Sequence, residues 1–566
     1  MTILVTVTFT LMLLNATAEA AWQTNGNPVC TASGGQTRSS TVLDANGGVI
    51  VCWQDSRLGT AHIYAQRFSA DGVPQWSTDG VLLTSASREQ SAPCMVSDGV
   101  GGAILAYVEL QPSTGFDIYA QRINASGVPV WGDGVPLCSE FGQQLKPSII
   151  SDGRSGITDT PGAIVVWEDS RLGNTDIYAQ AIDADGNVQW TAQGIAVCTD
   201  FAAQSSPTMV TDGIGFFGNP KGAIIAWEDT RDDQGDIYAQ HVNSAGVAQW
   251  TSNGMVVCAA ANRQSFPSLT FVGGGNAIIA WSDLRSGAYD IWAQRVGPAG
   301  SWLEDGLPVC RALDDQLGVA ATTDGVDGAI IAWQDGRNGG TNGDIFAQRV
   351  DGLGNPLWQV DGVPVSVPTG EQNFVVVTPS IDQSAIVLWR DSSGGTSADI
   401  YAQRISSNGS RLWDPNDVPV CTSPAFQSEA CVVPDGAGGA YASWTDPRSG
   451  QNDIYAYRVM DTPVPVAFEP APPTEFQLLG ATPNPFAHVS RMRFVLPASG
   501  SVSAHVHSVD GRLVRTLARD RLFSAGDAEL SWDGRDARGL PVANGIYFVQ
   551  IQTGHERATS KVVVVR

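Results

Sequence analysis

One word of sequence recurs down most of the chain and limits what it can fold into. Its commonest form is DIYAQR, and its copies begin at His62, Asp117, Asp176, Asp236, Asp290, Asp344, Asp399 and Asp453, at spacings of 55, 59, 60, 54, 54, 55 and 54 residues. A second word is a Trp ahead of a Gly-rich turn and a Val-Cys or similar pair, at Trp22, Trp76, Trp131, Trp190, Trp250, Trp302, Trp358 and Trp413. A third is an apolar run ending, in most copies, in Trp-x-Asp; its aromatics are Trp53, Tyr107, Trp167, Trp227, Trp281, Trp333, Trp389 and Trp444. These words hold 15 of the 17 Trp, so the Trp are architectural before they are anything else. Self-similarity at a period near this length is the mark of a solenoid or a propeller.

Each unit reads as four short strands. In the fourth unit they are Ser206 to Thr211, Ala223 to Glu228, Asp236 to Val242 and a strand around Ala248 to Thr251. The second is a continuous apolar run, as suits burial on both faces. Turn signals separate all four and helical periodicity is absent, which describes a propeller blade. The phase of the repeat points to closure. The first unit opens with Trp22 to Cys30, which matches a fourth strand, and the last stops after Asp453 to Val459 without one. The N-terminal strand is expected to complete the last blade and so remove the open ends of the array. The expected fold is all-β: an eight-bladed β-propeller over residues 21–460, then a small Ig-like β-sandwich. A seven-bladed ring with one irregular unit, and an open stack, are the alternatives.

Ile3 to Leu14 is an apolar run of 12 residues, too short to span a bilayer comfortably. Small residues follow it from Ala16 to Ala20, so residues 1–20 read as a signal peptide, although no basic residue precedes the run. No later segment reaches 18 uninterrupted apolar residues. The mature chain is therefore expected to be secreted or held at the outer cell surface without a transmembrane segment. The formal net charge is −25 and Lys146, Lys221 and Lys561 are the only lysines, which argues against nucleic acid as a partner.

Residues 461–475 (DTPVPVAFEPAPPTE) are Pro-rich and read as a semi-rigid spacer. Residues 476–566 hold 11 Lys and Arg against 7 Asp and Glu, a net of +4 that leaves −29 on the remainder. This stretch carries Asn484-Pro485-Phe486, then Val509 to Leu517, Ala525-Gly526, Trp532-Asp533-Gly534, Gly539, and Asn544-Gly545-Ile546-Tyr547-Phe548, and it ends in Lys561 to Arg566. In that order these words resemble the FlgD-like immunoglobulin-type and type IX secretion C-terminal sorting domains of bacterial surface proteins. The resemblance implies passage across an outer membrane through a secretion machinery, with release or attachment at the cell surface. It assigns the sorting motif to Asn484, Pro485, Phe486, Trp532, Asp533, Gly534, Gly545 and Tyr547. A purely structural sandwich is the alternative.

The turn between the second and third strands pairs an acid with an arginine in most units: Asp55 and Arg57, Asp169 and Arg171, Asp229 and Arg231, Asp283 and Arg285, Asp335 and Arg337, Asp446 and Arg448. On one face these would ring the central opening and offer a polar mouth to a carbohydrate or peptide. The structural reading is that each Asp caps its own turn and Arg pairs with it, and regular repetition favours it. The turn Ser69-Ala70-Asp71-Gly72 ahead of Trp76 resembles a sialidase-type Asp-box, but other copies lack the Asp, so it indicates a hairpin. No local sequence assembles the arginine, tyrosine and carboxylate set of a glycosidase, and no catalytic residue is assigned.

Six of the nine Cys share one repeat position, too far apart around a ring to bridge, and read as small buried hydrophobes. No metal or cofactor is assigned; Asp183 to Gly186 and Asp232 to Asp236 offer oxygen ligands to Ca²⁺ without completing an EF-hand pattern. Asymmetry is the better guide to a specific site. The turn between first and second strands is long in units three and four, Asp152 to Gly162 and Asp212 to Gly222. The latter holds Phe216 and Phe217, candidates for a binding patch on the face opposite the Asp/Arg turns. The expected function is non-catalytic binding and adhesion toward an extracellular glycan or protein. The alternatives are a propeller hydrolase or lyase acting on extracellular polysaccharide, which needs carboxylates of raised pKa clustered at the central mouth, and a structural envelope component.

Overall fold

The computed structural model describes residues 22–565 apart from 85–87, 155–159, 214–220, 233, 340–342, 367–369, 394–396, 414–416, 461–475, 483, 487–488, 498–499, 524–525 and 555. The apolar runs are the second strands of the blades, such as Ala163–Asp169 and Ala223–Asp229, buried along their whole length. Each pairs on one side with a first strand that begins at or just after a buried Gln and on the other with the DIYAQR strand. A short strand ending in most blades at Cys completes the sheet, as Ile195–Cys198 does in blade 3. Eight four-stranded antiparallel sheets of this order follow one another, and among the described residues there is no α-helix.

The first strands, Gln36–Leu43, Gln90–Ser97, Gln144–Ser151, Gln204–Thr211, Gln264–Gly273, Gln316–Thr323, Gln372–Pro379 and Ser428–Pro434, lie side by side in a closed circuit, the last against the first. They line the central channel. Blade 8 takes its fourth strand from the other end of the chain: Asn27–Cys30 pairs antiparallel with Asp453–Val459, Asn27 opposite Ala456 and Cys30 opposite Ile454. Across the same seam Trp22 Nε1 donates to Ala70 O at 2.9 Å, and the hydroxyls of Thr41 and Ser443 meet at 2.6 Å. The ring is closed and eight-bladed.

The apolar cores lie between blades rather than within them. One holds Ile164, Val166 and Trp190 of blade 3 with Met209, Ile225, Trp227 and Tyr238 of blade 4. The closing seam is built alike, from Val29, Tyr441 and Ile454 with Val51, Trp53, Tyr64 and Phe68. The Trp of each fourth strand extends the contact outward: Trp76, Trp131 and Trp190 donate from Nε1 to Ala125 O, Ala184 O and Ser244 O of the next blade at 3.0–3.2 Å. The Gly beside that strand is sterically required. Gly254 has φ +90°, and a Cβ there would stand 2.5 Å from the Trp227 ring.

The second unit, Thr462–Arg566, is a β-sandwich of two sheets. Gln477–Thr482, Ser490–Leu496 and Gly526–Trp532 form one; Leu513–Phe523, Gly500–Ser508, Gly545–Thr553 and Glu556–Val564 form the other. A single core of Met492, Phe494, Val506, Trp532, Val549 and Val562 joins them.

Removing residues 1–30 should expose the edge of Asp453–Val459 and strip Val29 and Cys30 from the closing core. The shortened chain is expected to melt several degrees lower and to self-associate with rising concentration. An unchanged melting curve with a monomer by light scattering would contradict ring closure.

Candidate functional site

The Asp/Arg turns are built into the joints between blades. In blade 4, Asp229 is fully buried. Its Oδ1 accepts the Arg231 backbone N–H at 3.0 Å and Nε at 2.9 Å, while its Oδ2 accepts Trp227 Nε1 at 2.9 Å and Arg231 Nη2. Arg231 Nη2 also lies 3.1 Å from Cys198 Sγ of blade 3, and the guanidinium stacks 4.0 Å above the Tyr238 ring. The Arg–Asp–Cys joint recurs at Asp55, Arg57 and Cys30; Asp169, Arg171 and Cys138; Asp283, Arg285 and Cys258; Asp335, Arg337 and Cys310; and Asp446, Arg448 and Cys421. The hydrogen-bonding capacity of these carboxylates goes to their own turn, their own Trp and the neighbouring blade. Burial opposes ionisation of Asp55 and Asp446, but the arginine, indole and backbone donors outweigh it and hold both carboxyls below the usual range. All nine cysteines are free, and burial pushes the six joint thiols up to about 12, so they serve as neutral S–H groups. They are buried as expected, but each also meets a polar partner that the repeat alone did not reveal.

Two blades break this pattern. In blade 2, Tyr107 and Glu109 replace the Trp and Asp, Thr84 stands at the cysteine position, and Glu109 is met instead by Gln90 Nε2 at 2.8 Å and Arg88 at 3.3 Å. In blade 7, Asp391 is followed by Ser392 and Ser393, and Ser366 stands at the cysteine position. Gln372 Nε2 reaches Asp391 at 3.1 Å, and Trp389 Nε1 is buried without an acceptor.

The non-repeating chemistry gathers on the same face, at the mouth of the channel. Two residues after each buried Gln (Gln36, Gln90, Gln144, Gln204, Gln264, Gln316, Gln372 and Gln427) the first strand carries one extra residue and a left-handed backbone. The residues so placed are Arg38, Ala92, Lys146, Ser206, Phe266, Gly318, Phe374 and Glu429, with φ between 50° and 62°. Bulges of this kind re-aim a side chain. Here they set eight different side chains, exposed or half-buried, around the opening. Neighbouring blades tie some of them down. Glu168 Oε1 accepts the Ser206 amide and the Lys146 ammonium at 2.8 and 2.9 Å; Glu228 accepts the Phe266 amide at 2.8 Å and Arg263 at 3.2 Å; Glu429 accepts the Arg38 amide at 2.6 Å.

This face also collects apolar side chains. Phe141, Phe201 and Phe426, on loops leading into first strands, are 74, 84 and 49% exposed, and Phe266 and Phe374 on the bulges are 56 and 67% exposed. They are all the exposed Phe among the described residues of the propeller. The sequence signal was available, since these positions vary beside an invariant Gln, but nothing local announces a left-handed bulge at Arg, Lys or Phe.

Phe216 and Phe217 lie outside the described residues. Asp183 spends both carboxylate oxygens on its own turn, with Asn187 N and Nδ2 and Gln189 Nε2 as donors, and Asp232 accepts the Tyr238 hydroxyl at 2.7 Å. Among the described residues no group of three His, Cys, Asp or Glu is arranged to hold a metal ion. In the C-terminal unit the motif residues converge on the sandwich core. Phe486, Trp532 and Tyr547 stack edge-on in series, with ring centroids 5.6 and 5.2 Å apart. Asn484 binds the last strand at Lys561 O and Val563 N, both at 2.8 Å, and Asp533 and Gly534 shape the turn after Trp532.

The residue that opens most third strands is a second buried acid. Burial raises the carboxyls of Asp290, Asp344, Asp399 and Asp453, and raises Asp117 and Asp176 to about 6. At Asp176 the neighbouring Asp169 carboxylate adds to burial, and hydrogen bonding from Asn174 offsets part of it. A carboxyl whose pKa is higher folded than unfolded binds more protons in the fold between about pH 4 and 6, so its contribution to stability falls as pH rises through that window. Asp176→Asn should therefore melt at least as high as the parent at pH 7.5, with that margin shrinking at pH 4.5. A margin independent of pH would contradict this account.

No curated protein matches this chain significantly in sequence. Among solved structures it is similar to a polysaccharide lyase, an ulvan lyase (12% identity, 78% of this chain and 96% of that chain, TM-score 0.40). It is also similar to the α-L-arabinofuranosidase of Fusarium graminearum (12%, 78% and 98%, 0.34) and to the endo-arabinase from Bacteroides thetaiotaomicron (14%, 50% and 99%, 0.27). Residues 489–556 match the FlgD Ig-like domain family. The C-terminal sandwich is a FlgD Ig-like domain.

Proposed function

We propose that this chain is an extracellular, non-catalytic polysaccharide-binding protein, with the bulge-lined face of the propeller as its binding surface and the Ig-like domain as the part that directs export or surface attachment. One observation carries the reading: the five exposed Phe among the described residues of the propeller share the face on which the repeat stops repeating. Exposed rings of this size in one region favour a partner that covers them, and the C–H faces of sugar rings stack on aromatic faces. The repeated Asp/Arg pairs below them are spent in the joints, so the variable layer above is what a ligand meets. A hydrolase or lyase would draw on Glu168 and Glu228 at the same mouth. Both serve there as acceptors for a neighbouring amide and a cation, which favours binding over proton transfer.

The test is affinity electrophoresis of the full chain through gels containing soluble polysaccharides, with product analysis. Phe141→Ser, Phe201→Ser and Phe266→Ser together should weaken retardation at least about tenfold and leave the melting temperature within a degree or two, as surface substitutions do. Full retardation by the triple variant, or chain cleavage by the parent, would overturn the reading. For export, a chain lacking residues 476–566 should stay within the producing cell's envelope while the full chain reaches the surface or medium. Equal surface delivery of both would remove the assigned role of the Ig-like domain.

A further inference from the structure

Blade 7 keeps the buried Asp391 but has lost the arginine that completes the joint elsewhere, and it carries a cation one position earlier, at Arg390, where no other blade has one. Three cationic groups of other blades at this mouth have carboxylate partners: Lys146 with Glu168, Arg263 with Glu228 and Arg88 with Glu109. Arg390 has no carboxylate within ion-pair distance among the described residues. Its Nε donates to Asn373 Oδ1 at 2.9 Å, and Asn373 Nδ2 in turn donates to Glu371 Oε1 at 2.8 Å, which fixes the plane of the guanidinium. Its two terminal nitrogens have no protein acceptor among the described residues. Two exposed rings flank it: Phe374, on the bulge of the same blade, has its centroid 3.9 Å from the guanidinium carbon, and Phe426, on the loop entering blade 8, has its centroid 4.8 Å away. The group is half-buried, and that burial lowers its affinity for a proton, with only Glu371 opposing. An unmatched, partly desolvated charge weakens a fold unless something outside it supplies the counter-charge.

We propose that Arg390 is the anchor for the carboxylate of an acidic polysaccharide, held by the two free guanidinium nitrogens while Phe374 and Phe426 cover the faces of the sugar rings on either side. This rests on the binding face assigned above and names the class of polymer it takes. A planar fork of N–H donors matches a carboxylate in two parallel hydrogen bonds. An acidic peptide fits the site less well, because an extended chain would need the edge of the first strand, and the bulge at Phe374 turns that edge out of register. Arg390 is thus a specificity determinant: the rings supply contact to any sugar, and the guanidinium selects the charged one.

The test measures affinity of the full chain, by calorimetry at fixed ionic strength, for a hexamer of galacturonic acid, for the matching neutral galactose hexamer, and for a glutamate hexapeptide, alongside melting temperatures. The parent should bind the acidic hexamer at least tenfold more tightly than the neutral one. Arg390→Leu should lose that preference, keep its affinity for the neutral hexamer, and melt no lower than the parent, since it removes an unmatched charge. Arg390→Lys should retain only part of the preference. A lower melting temperature for Arg390→Leu with the preference intact would make the residue a structural staple and overturn the proposal. Equal binding of both hexamers by the parent would overturn it and leave the binding face standing. Tighter binding of the glutamate peptide would reassign the site to a protein partner, and no binding of any saccharide would overturn this inference and the face together.

Discussion

The ring depends on a carboxylate that one blade owns and its neighbour completes. Asp229 sits at the end of a strand that is buried from end to end, where an unpaired charge would cost about 3–5 kcal/mol. Its own Trp227 and Arg231 satisfy it, but Arg231 is in turn fixed by Cys198 and its surroundings in the preceding blade. The joint therefore exists only when two blades are docked. The composition follows the same logic. Every blade with the arginine receives a cysteine from its predecessor, and the two without it receive Thr84 and Ser366. Interblade cores and the indole-to-carbonyl bonds of the fourth-strand Trp act in the same direction, so the closing strand Asn27–Cys30 brings Cys30 to the Arg57 joint of blade 1 as well as completing the eighth sheet.

Repetition and variation are separated in space. The Asp and Arg side chains that recur in six blades bond to each other, to their own Trp and to the neighbouring blade. Side chains that differ are lifted onto bulges at the channel mouth, where seven of eight residues hold a left-handed conformation without being glycine. Each such residue costs roughly 1 kcal/mol relative to glycine, and only Gly318 avoids that penalty. The strain is set against eight distinct side chains presented on one rim. Blades 2 and 7, where the joint is missing, bring further irregular chemistry to that rim through Glu109 with Arg88 and through Arg390 with its two rings.

Most of the architecture was legible because it repeats. Eight copies of DIYAQR, the buried Trp-x-Asp runs and the offset phase of the two ends gave blade count, strand order and closure, since periodicity survives any error in a single unit. The Ig-like domain was legible from Trp532-Asp533-Gly534 and Asn544 to Tyr547, which prove to be core and turn residues. The joint was half legible. The capping Asp and its Arg follow from spacing, but the pairing of Arg231 with Cys198 crosses a blade boundary that sequence does not draw. The mouth was legible only as positions that vary beside a repeated Gln. A left-handed bulge at Lys146 or Phe374 has no local signature, because packing of the first strands against each other imposes it, whereas the long turn holding Phe216 and Phe217 stands out by its length alone.

We propose that ligand is met on the bulge-lined face. Hydrogen exchange of the full chain with and without an acidic polysaccharide tests it most directly, since bound polymer slows exchange of the amides it covers. The account predicts protection concentrated in segments 139–146, 199–206, 371–374 and 423–429. Protection confined to the opposite turns at 98–102, 152–162 and 212–222, or to the Ig-like domain, would contradict it.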